Sequence, residues 1–266
     1  MITPREPENT KETSVPVLPG AEPFFHDGNE VGVLVCHGYP STPQSMRPWA
    51  QHLADAGYTV RLPRLPGMGT RWQDLQRTQW TDWYAALEQE FDTMRGRCRD
   101  IFAVGLSMGG LMATKIALDH SDQVRGIVLV NPIFKHNHPM LPLLPVLHRV
   151  VPYFPGIAGD IKKPGVTELA YSVNPLKAMH SQTRLWKIVG DQLPQLQTPV
   201  LLVRSRVDNV VPPISADYFL SRIDSHDVTQ LYLEDSYHVA TLDNDAPQLF
   251  ASSVDFIERL ATGSPA

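Results

Sequence analysis

Apolar residues fall along this chain in two rhythms: short β-branched runs, and longer stretches in which they recur every three or four positions. The runs Val31–Cys36, Tyr58–Leu62, Ile101–Leu106, Val124–Val130, Val200–Ser205 and Val228–Leu233 are predicted strands. Runs this short and this apolar point to strands buried on both faces of a parallel sheet. Met46, Trp49, Leu53 and Ala54 form one helical stripe. Ala246, Leu249, Phe250, Val254, Ile257 and Leu260 form another, the pattern of a helix with one buried face. Strand and helix in alternation predict an α/β chain with a doubly wound, mostly parallel sheet.

From Pro132 to about Leu196 the rhythm breaks and no strand is predicted. Pro132, Pro139, Pro142, Pro145, Pro152 and Pro155 crowd its first part, interleaved with Leu141, Leu143, Leu144 and Leu147. A connection this long is either disordered or functional, and this one is too apolar for disorder. Residues 132–196 therefore read as a small, mainly helical cap inserted into the core, with an ordinary extension of the core as the alternative. Residues 21–131 and 197–266 make up the core domain. The polar, Pro-rich residues 1–20 read as a loosely held tail.

Composition narrows the class. Hydrophobic residues make up 42% and charged residues 19% of the 266 positions, which fits a folded chain with a sizeable core. A net charge of −5 with no basic patch argues against nucleic acid as a partner. Cys36 lies inside an apolar run and Cys98 precedes one, so both read as free thiols, and neither has metal-ligand spacing. The N-terminal residues lack the apolar core of a signal peptide, and no apolar run reaches the length of a membrane span. The expected location is cytoplasmic.

The strongest chemical signal is Gly105-Leu106-Ser107-Met108-Gly109, followed by Gly110. A predicted strand leads in and the helical stretch 110–120 leads out, the context of a nucleophile elbow. A sharp turn there strains the serine backbone and brings neighbours so close that a Cβ would clash. A glycine-rich turn without chemistry is the alternative. A serine hydroxyl is a weak nucleophile and needs a base. The site of an open α/β sheet lies outside the carboxyl ends of its strands. His238 follows the last predicted strand on that edge, whereas His226 precedes it. His52 and His120 fall in or at the ends of predicted helices; His136, His138 and His148 fall in the cap and read as surface residues. Asp208, after the strand Val200–Ser205, is the candidate acid that orients His238. Glu234 and Asp235 share its edge but read as solvated loop charges. The order Ser107, Asp208, His238 is the one this fold uses. The backbone N–H groups of Tyr39 and Met108 are candidate oxyanion donors. His37 reads as a loop-holding residue.

With these residues placed, the sequence resembles the bacterial carboxylesterase and monoacylglycerol lipase group of α/β-hydrolases. The resemblance rests on His37-Gly38-Tyr39, Pro66-Gly67-Met68-Gly69-Thr70, Thr81-Asp82-Trp83, the Ser107 elbow, Arg206-Val207-Asp208 with Val211-Pro212, and Ser236-Tyr237-His238-Val239-Ala240-Thr241-Leu242-Asp243. It runs from about Gly20 to Leu260. It implies the α/β-hydrolase fold, a cofactor-free esterase, a small cap over an apolar acyl tunnel, and oxyanion amides at Tyr39 and Met108. This chain has Met68 where the group often has His, and Tyr39 where it often has Phe. The stretch Ile161–Tyr171 resembles the cap of the monoacylglycerol lipases. On that resemblance Glu168 is a candidate for holding glycerol hydroxyls, with a solvated surface carboxylate as the alternative.

The expected activity is hydrolysis of medium- or long-chain acyl esters through an acyl-enzyme, with monoacylglycerols leading. Leu143, Leu144 and Leu147 are candidate acyl contacts, and each buried methylene contributes roughly 0.8 kcal/mol. The expected partner is a small lipid ester, with transient contact with lipid surfaces left open. Thioester or other acyl hydrolysis, and ligand binding on a hydrolase scaffold, are the alternatives. The glycines after Leu106 form neither G-x-G-x-x-G nor a Walker loop, which argues against nucleotides.

Overall fold

The computed structural model describes residues 15–262 apart from residue 157. In chain order the elements are β1 (Phe24–His26), β2 (Val31–Cys36), α1 (Arg47–Asp55), β3 (Thr59–Leu62), α2 (Trp72–Leu75), α3 (Trp80–Arg95), β4 (Asp100–Leu106), α4 (Met108–Asp119), β5 (Val124–Val130), α5 (Leu144–Leu147), β6 (Tyr153–Pro155), β7 (Val173–Pro175), α6 (Leu176–Gln192), β8 (Val200–Ser205), α7 (Ile214–Leu220), β9 (Val228–Leu233) and α8 (Ala246–Thr262). Seven strands form one sheet in the order β1-β3-β2-β4-β5-β8-β9. Every pairing in it is parallel except β1 with β3.

The period-2 alternation of the central strands divides the core in two. Leu34, Ala103, Leu129 and Leu202 face α3, α4, α6 and α7, packing with Phe91, Met112, Leu185 and Phe219. Val35, Val104, Val128 and Val203 face α1 and α8, packing with Trp49, Leu53, Leu249 and Ile257. Both helical stripes seen in the sequence are thus buried on the same side of the sheet. α3 begins at a reciprocal cap, in which the Gln79 N–H donates to Asp82 at 2.8 Å, satisfying donors that a helix start leaves free.

Residues 132–196 differ from expectation in one respect: they contain a strand pair. β6 and β7 pair antiparallel, with Phe154 opposite Asn174. Each is only three residues long and contains a proline, so neither shows a strand pattern. α6 then packs on α3 and α4. The expected tail falls partly on residues 1–14, which lie outside the described residues. Within residues 15–20, the Leu18 N–H bonds the Gly69 carbonyl at 2.8 Å. No helix among the described residues is long and apolar enough to cross a membrane.

Candidate active site

The parallel register brings the carboxyl ends of β2, β4, β5, β8 and β9 to one edge, and the candidate residues lie there. Ser107 occupies the junction of β4 and α4 with φ 58° and ψ −118°, a conformation that costs an L-residue of order 1–3 kcal/mol. Its N–H bonds the Val130 carbonyl at 2.9 Å, and its own carbonyl accepts from Gly110 at 3.0 Å. The flanking glycines are steric necessities. A Cβ on Gly109 would lie 1.9 Å from the Cys36 carbonyl oxygen, and one on Gly105 would lie 2.3 Å from the Gly109 backbone. Met108 is the first residue of α4, so its N–H has no acceptor within the helix.

Asp208 and His238 meet. His238 Nδ1 lies 2.8 Å from Asp208 Oδ2, and both side chains are more than nine-tenths buried. The second oxygen, Oδ1, accepts from the Val210 and Val211 N–H groups at 2.8 and 2.7 Å. A carboxylate so saturated with donors is held in a fixed orientation. The rivals point elsewhere: Glu234 pairs with Arg206 at 2.9 Å, and Asp235 pairs with Lys162. Burial opposes a charge on His238, but the Asp208 charge and hydrogen bond, with the charges of Glu168 and Asp160, outweigh it and raise its pKa above 6.5.

Three residues to which the sequence reading gave no role hold this pair. Asn131, at the end of β5 with φ 43°, donates to the His238 carbonyl at 2.9 Å and accepts from the Ser205 N–H at 2.8 Å. Asp160 accepts from the Asn209 amide side chain at 2.8 Å, and from the Asn209 and His238 backbone N–H groups at 3.1 Å each. It therefore joins the acid loop to the base loop from within residues 132–196. Asp243 is buried and accepts from the N–H groups of Lys162, Lys163, Tyr237 and Asn244 at 2.7 to 2.9 Å. A buried carboxylate with four backbone donors is well compensated. The only signal in the sequence was that Asp243 ends the Ser236–Asp243 segment of the resemblance; the partners of Asp160 are 49 and 78 residues away.

His37 is fully buried. Its Nε2 accepts from the Leu65 N–H at 3.1 Å, so Nδ1 carries the proton and donates to the Gly38 carbonyl at 3.0 Å. Burial, aided by the Arg64 charge, pulls its pKa down to about 4 against that Gly38 bond. The ring is thus a neutral strut for the loop that carries Tyr39. The Tyr39 hydroxyl donates to the Pro175 carbonyl at 3.0 Å, tying this loop to β7.

Two cavities meet at Ser107. One, of about 430 Å³, is lined by Ile133, Leu141, Phe154, Met179, Trp186 and Val211 among others, within the usual range for a ligand pocket. The other, of about 30 Å³, is lined by Gly38, Tyr39, Ser107, Asp160, Glu168 and His238, room for a water molecule or two. Glu168 is half-buried there and accepts from the Gly159 N–H at 2.9 Å. Leu143, Leu144 and Leu147 do not line the larger cavity; Leu141 does. Leu143 is 51% exposed whereas Leu144 is buried. A single helical turn spreads these leucines around its circumference instead of aligning them. His136 also departs from the surface role expected: half-buried, it lines the larger cavity and bonds the Val210 carbonyl at 3.2 Å. Among the described residues no cluster of three His, Cys, Asp or Glu could hold a metal ion.

Residues 29–245 match the family described as serine aminopeptidase, S33. The chain is 40% identical to the thermostable monoacylglycerol lipase of Bacillus sp. (strain H-257), over 92% of this chain and 98% of that protein. It is 24% identical to a carboxylesterase of Bacillus subtilis (strain 168), over 90% and 97% respectively. Among solved structures it resembles one reported for the metagenome-derived lipolytic enzymes LipS and LipT. The TM-score is 0.89 at 39% identity, covering 92% of this chain and all of that one.

Proposed function

Since the chain belongs to the serine aminopeptidase S33 family of serine hydrolases, we propose that Ser107, His238 and Asp208 act in it as nucleophile, base and orienting acid of a carboxylic ester hydrolase. The observation that carries this is the Asp208–His238 hydrogen bond of 2.8 Å, with Ser107, in a strained elbow at an apolar cavity, lining one small cavity with His238. Asp208 accepts a hydrogen bond from Nδ1–H, which leaves Nε2 as the base. Ser107 Oγ attacks the ester carbonyl as His238 takes its proton. The Tyr39 and Met108 amides hold the oxyanion, each contributing about 10²–10³ in rate. His238 then protonates the departing alcohol. A water deprotonated by the same ring attacks the acyl-enzyme, which releases the acid and restores Ser107.

The substrate of this reading is a monoacylglycerol. Support comes from the 40% identical monoacylglycerol lipase and from the two cavities. The apolar one suits an acyl chain. The small polar one, with Glu168 and Asp160 on its wall, has room for a hydroxyl of the alcohol. Residues 132–196 serve as the cap, contributing Leu141, Phe154, Met179 and Trp186 to the acyl side. The proposed location is the cytoplasm, in keeping with two free cysteines, Cys36 and Cys98.

The test is hydrolysis of 1-monoacylglycerols against methyl esters of the same acids across chain lengths, with Glu168→Ala beside the wild type. The expected result is a medium- or long-chain optimum and a preference for the glyceride that shrinks in the variant. Equal turnover of both ester types by the wild type would set the monoacylglycerol reading aside and leave a general carboxylesterase.

A further inference from the structure

Away from the reaction site a second cavity, of about 780 Å³, opens between α2, the segment after α5, and the outer face of α6. Arg77, Arg149, Lys177 and Arg184 line it with His148 and His180, and no Asp or Glu does. In a chain of net charge −5 such a concentration is unusual. Elsewhere Arg61, Arg71, Arg95, Arg97, Arg99 and Arg125 have carboxylate partners, and the cations without one, such as Arg47, Arg64 and Arg222, do not gather around one cavity. Among the described residues, none of the four cations at this cavity has a carboxylate partner.

The two histidines add a second observation. Their rings stack with centroids 4.2 Å apart, and His148 Nδ1 is buried with no hydrogen-bond partner. Buried polar atoms are normally satisfied, so this one lacks an acceptor or donor. Burial, and then the charges of His148, Arg184 and Arg149, hold the His180 pKa down; a bound anion would relieve that repulsion.

We propose that this cavity binds a phosphate-bearing anion. Arginine forks match phosphate oxygens bidentately, and a concave site lined by one sign of charge focuses its field on the counter-ion. The volume lies within the range of ligand pockets. α6 is the common wall of both sites: Met179 and Trp186 face the acyl cavity, and Lys177, His180 and Arg184 face this one. Two sources carry the required group, a soluble phosphate ester and the headgroup of an anionic phospholipid. Val146 and Val150, exposed beside Arg149, would accompany the second.

The test uses the full chain. Binding of inorganic phosphate and glycerol 3-phosphate is followed by calorimetry, and co-sedimentation is measured with phosphatidylglycerol and phosphatidylcholine vesicles. The variants are Arg149→Gln/Arg184→Gln, Arg77→Gln/Lys177→Gln, and Arg222→Gln as a control outside the cavity. Turnover of a short p-nitrophenyl ester checks that each is folded. The expected result is binding weakened at least tenfold in both double variants and unchanged in Arg222→Gln. Binding of the soluble probes identifies a phosphate ester, and binding of phosphatidylglycerol vesicles alone identifies the headgroup. No binding of any probe by the wild type, or equal binding by wild type and both double variants, would overturn the proposal.

Discussion

Asp208 divides its two oxygens between His238 Nδ1, at 2.8 Å, and the N–H groups of Val210 and Val211, at 2.8 and 2.7 Å. The ring is therefore held by a carboxylate that is itself held by backbone. Asp208→Asn keeps the shape but supplies an amide whose oxygen and nitrogen cannot serve both sets of donors equally. The expected outcome is a fall in kcat/KM of about 10⁴, with the thermal melt moved by only a few degrees. A fall of less than about tenfold, measured on a p-nitrophenyl ester, would mean that Asp208 does not orient the base.

The same geometry sets the pH dependence. Protonated His238 cannot accept the Ser107 proton, so activity falls as pH drops through its pKa. Burial opposes the charged ring, yet Asp208, Glu168 and Asp160 raise that pKa above 6.5. The acid limb of kcat/KM is expected above pH 6.5. Glu168→Gln removes one negative charge and should move the limb to lower pH. A limb that stays in place in this variant contradicts the assigned electrostatics.

The elbow makes a steric claim. A Cβ at Gly109 would sit 1.9 Å from the Cys36 carbonyl, and both residues are buried backbone positions, in α4 and at the end of β2. Gly109→Ala is expected to cost at least the upper end of the about 1–3 kcal/mol typical of overpacking, with lost activity. Gly165 has φ +77° and nothing within 4 Å of an added Cβ, so Gly165→Ala should cost about 1 kcal/mol. Urea unfolding of the two variants separates crowding from backbone strain.

His37 predicts a stability effect of definite sign. Its folded pKa, about 4, lies below the value near 6.5 of an unfolded histidine. The unfolded chain therefore binds the extra proton between those values, and stability is lost as pH falls from 6.5 towards 4. The interval corresponds to about 3 kcal/mol. His238 acts with the opposite sign: its contribution is complete below 6.5 and is lost as pH rises through its raised pKa. Urea unfolding of His37→Gln across this range isolates the first effect. The variant should show a flatter decline than the wild type, and an equal slope would contradict the neutral buried ring.

How much of this was legible in sequence follows from the range of the interactions. β2, β5 and β8 carry the bounds that their apolar runs suggest, and β3 and β4 differ by one residue, because a strand buried on both faces must be apolar throughout. The edge strand β9, with Thr229 and Gln230 exposed, also has the suggested bounds, its Val, Thr, Leu and Tyr suiting a strand. The three-residue β1, an antiparallel edge strand with Phe25 half-exposed, leaves no such trace. That Ser107, Asp208 and His238 share one edge of the sheet was legible because each follows a strand whose direction fixes its edge. Asp160 and Asn131 were not legible. What they do is accept or donate at backbone groups up to 107 residues away, and nothing local distinguishes them from any polar loop residue. The leucines after Pro142 were chosen because the cap is apolar, and apolar character alone does not say which side of the single turn Leu144–Leu147 faces the cavity.

The central claim is that Ser107 is the nucleophile. The most direct test is labelling of the intact protein with a fluorophosphonate ester, with the modified peptide located by mass spectrometry. A single adduct on Ser107, absent in Ser107→Ala and much slower in His238→Ala, is the expected result. An adduct on another residue, or full ester turnover by Ser107→Ala, would contradict the account.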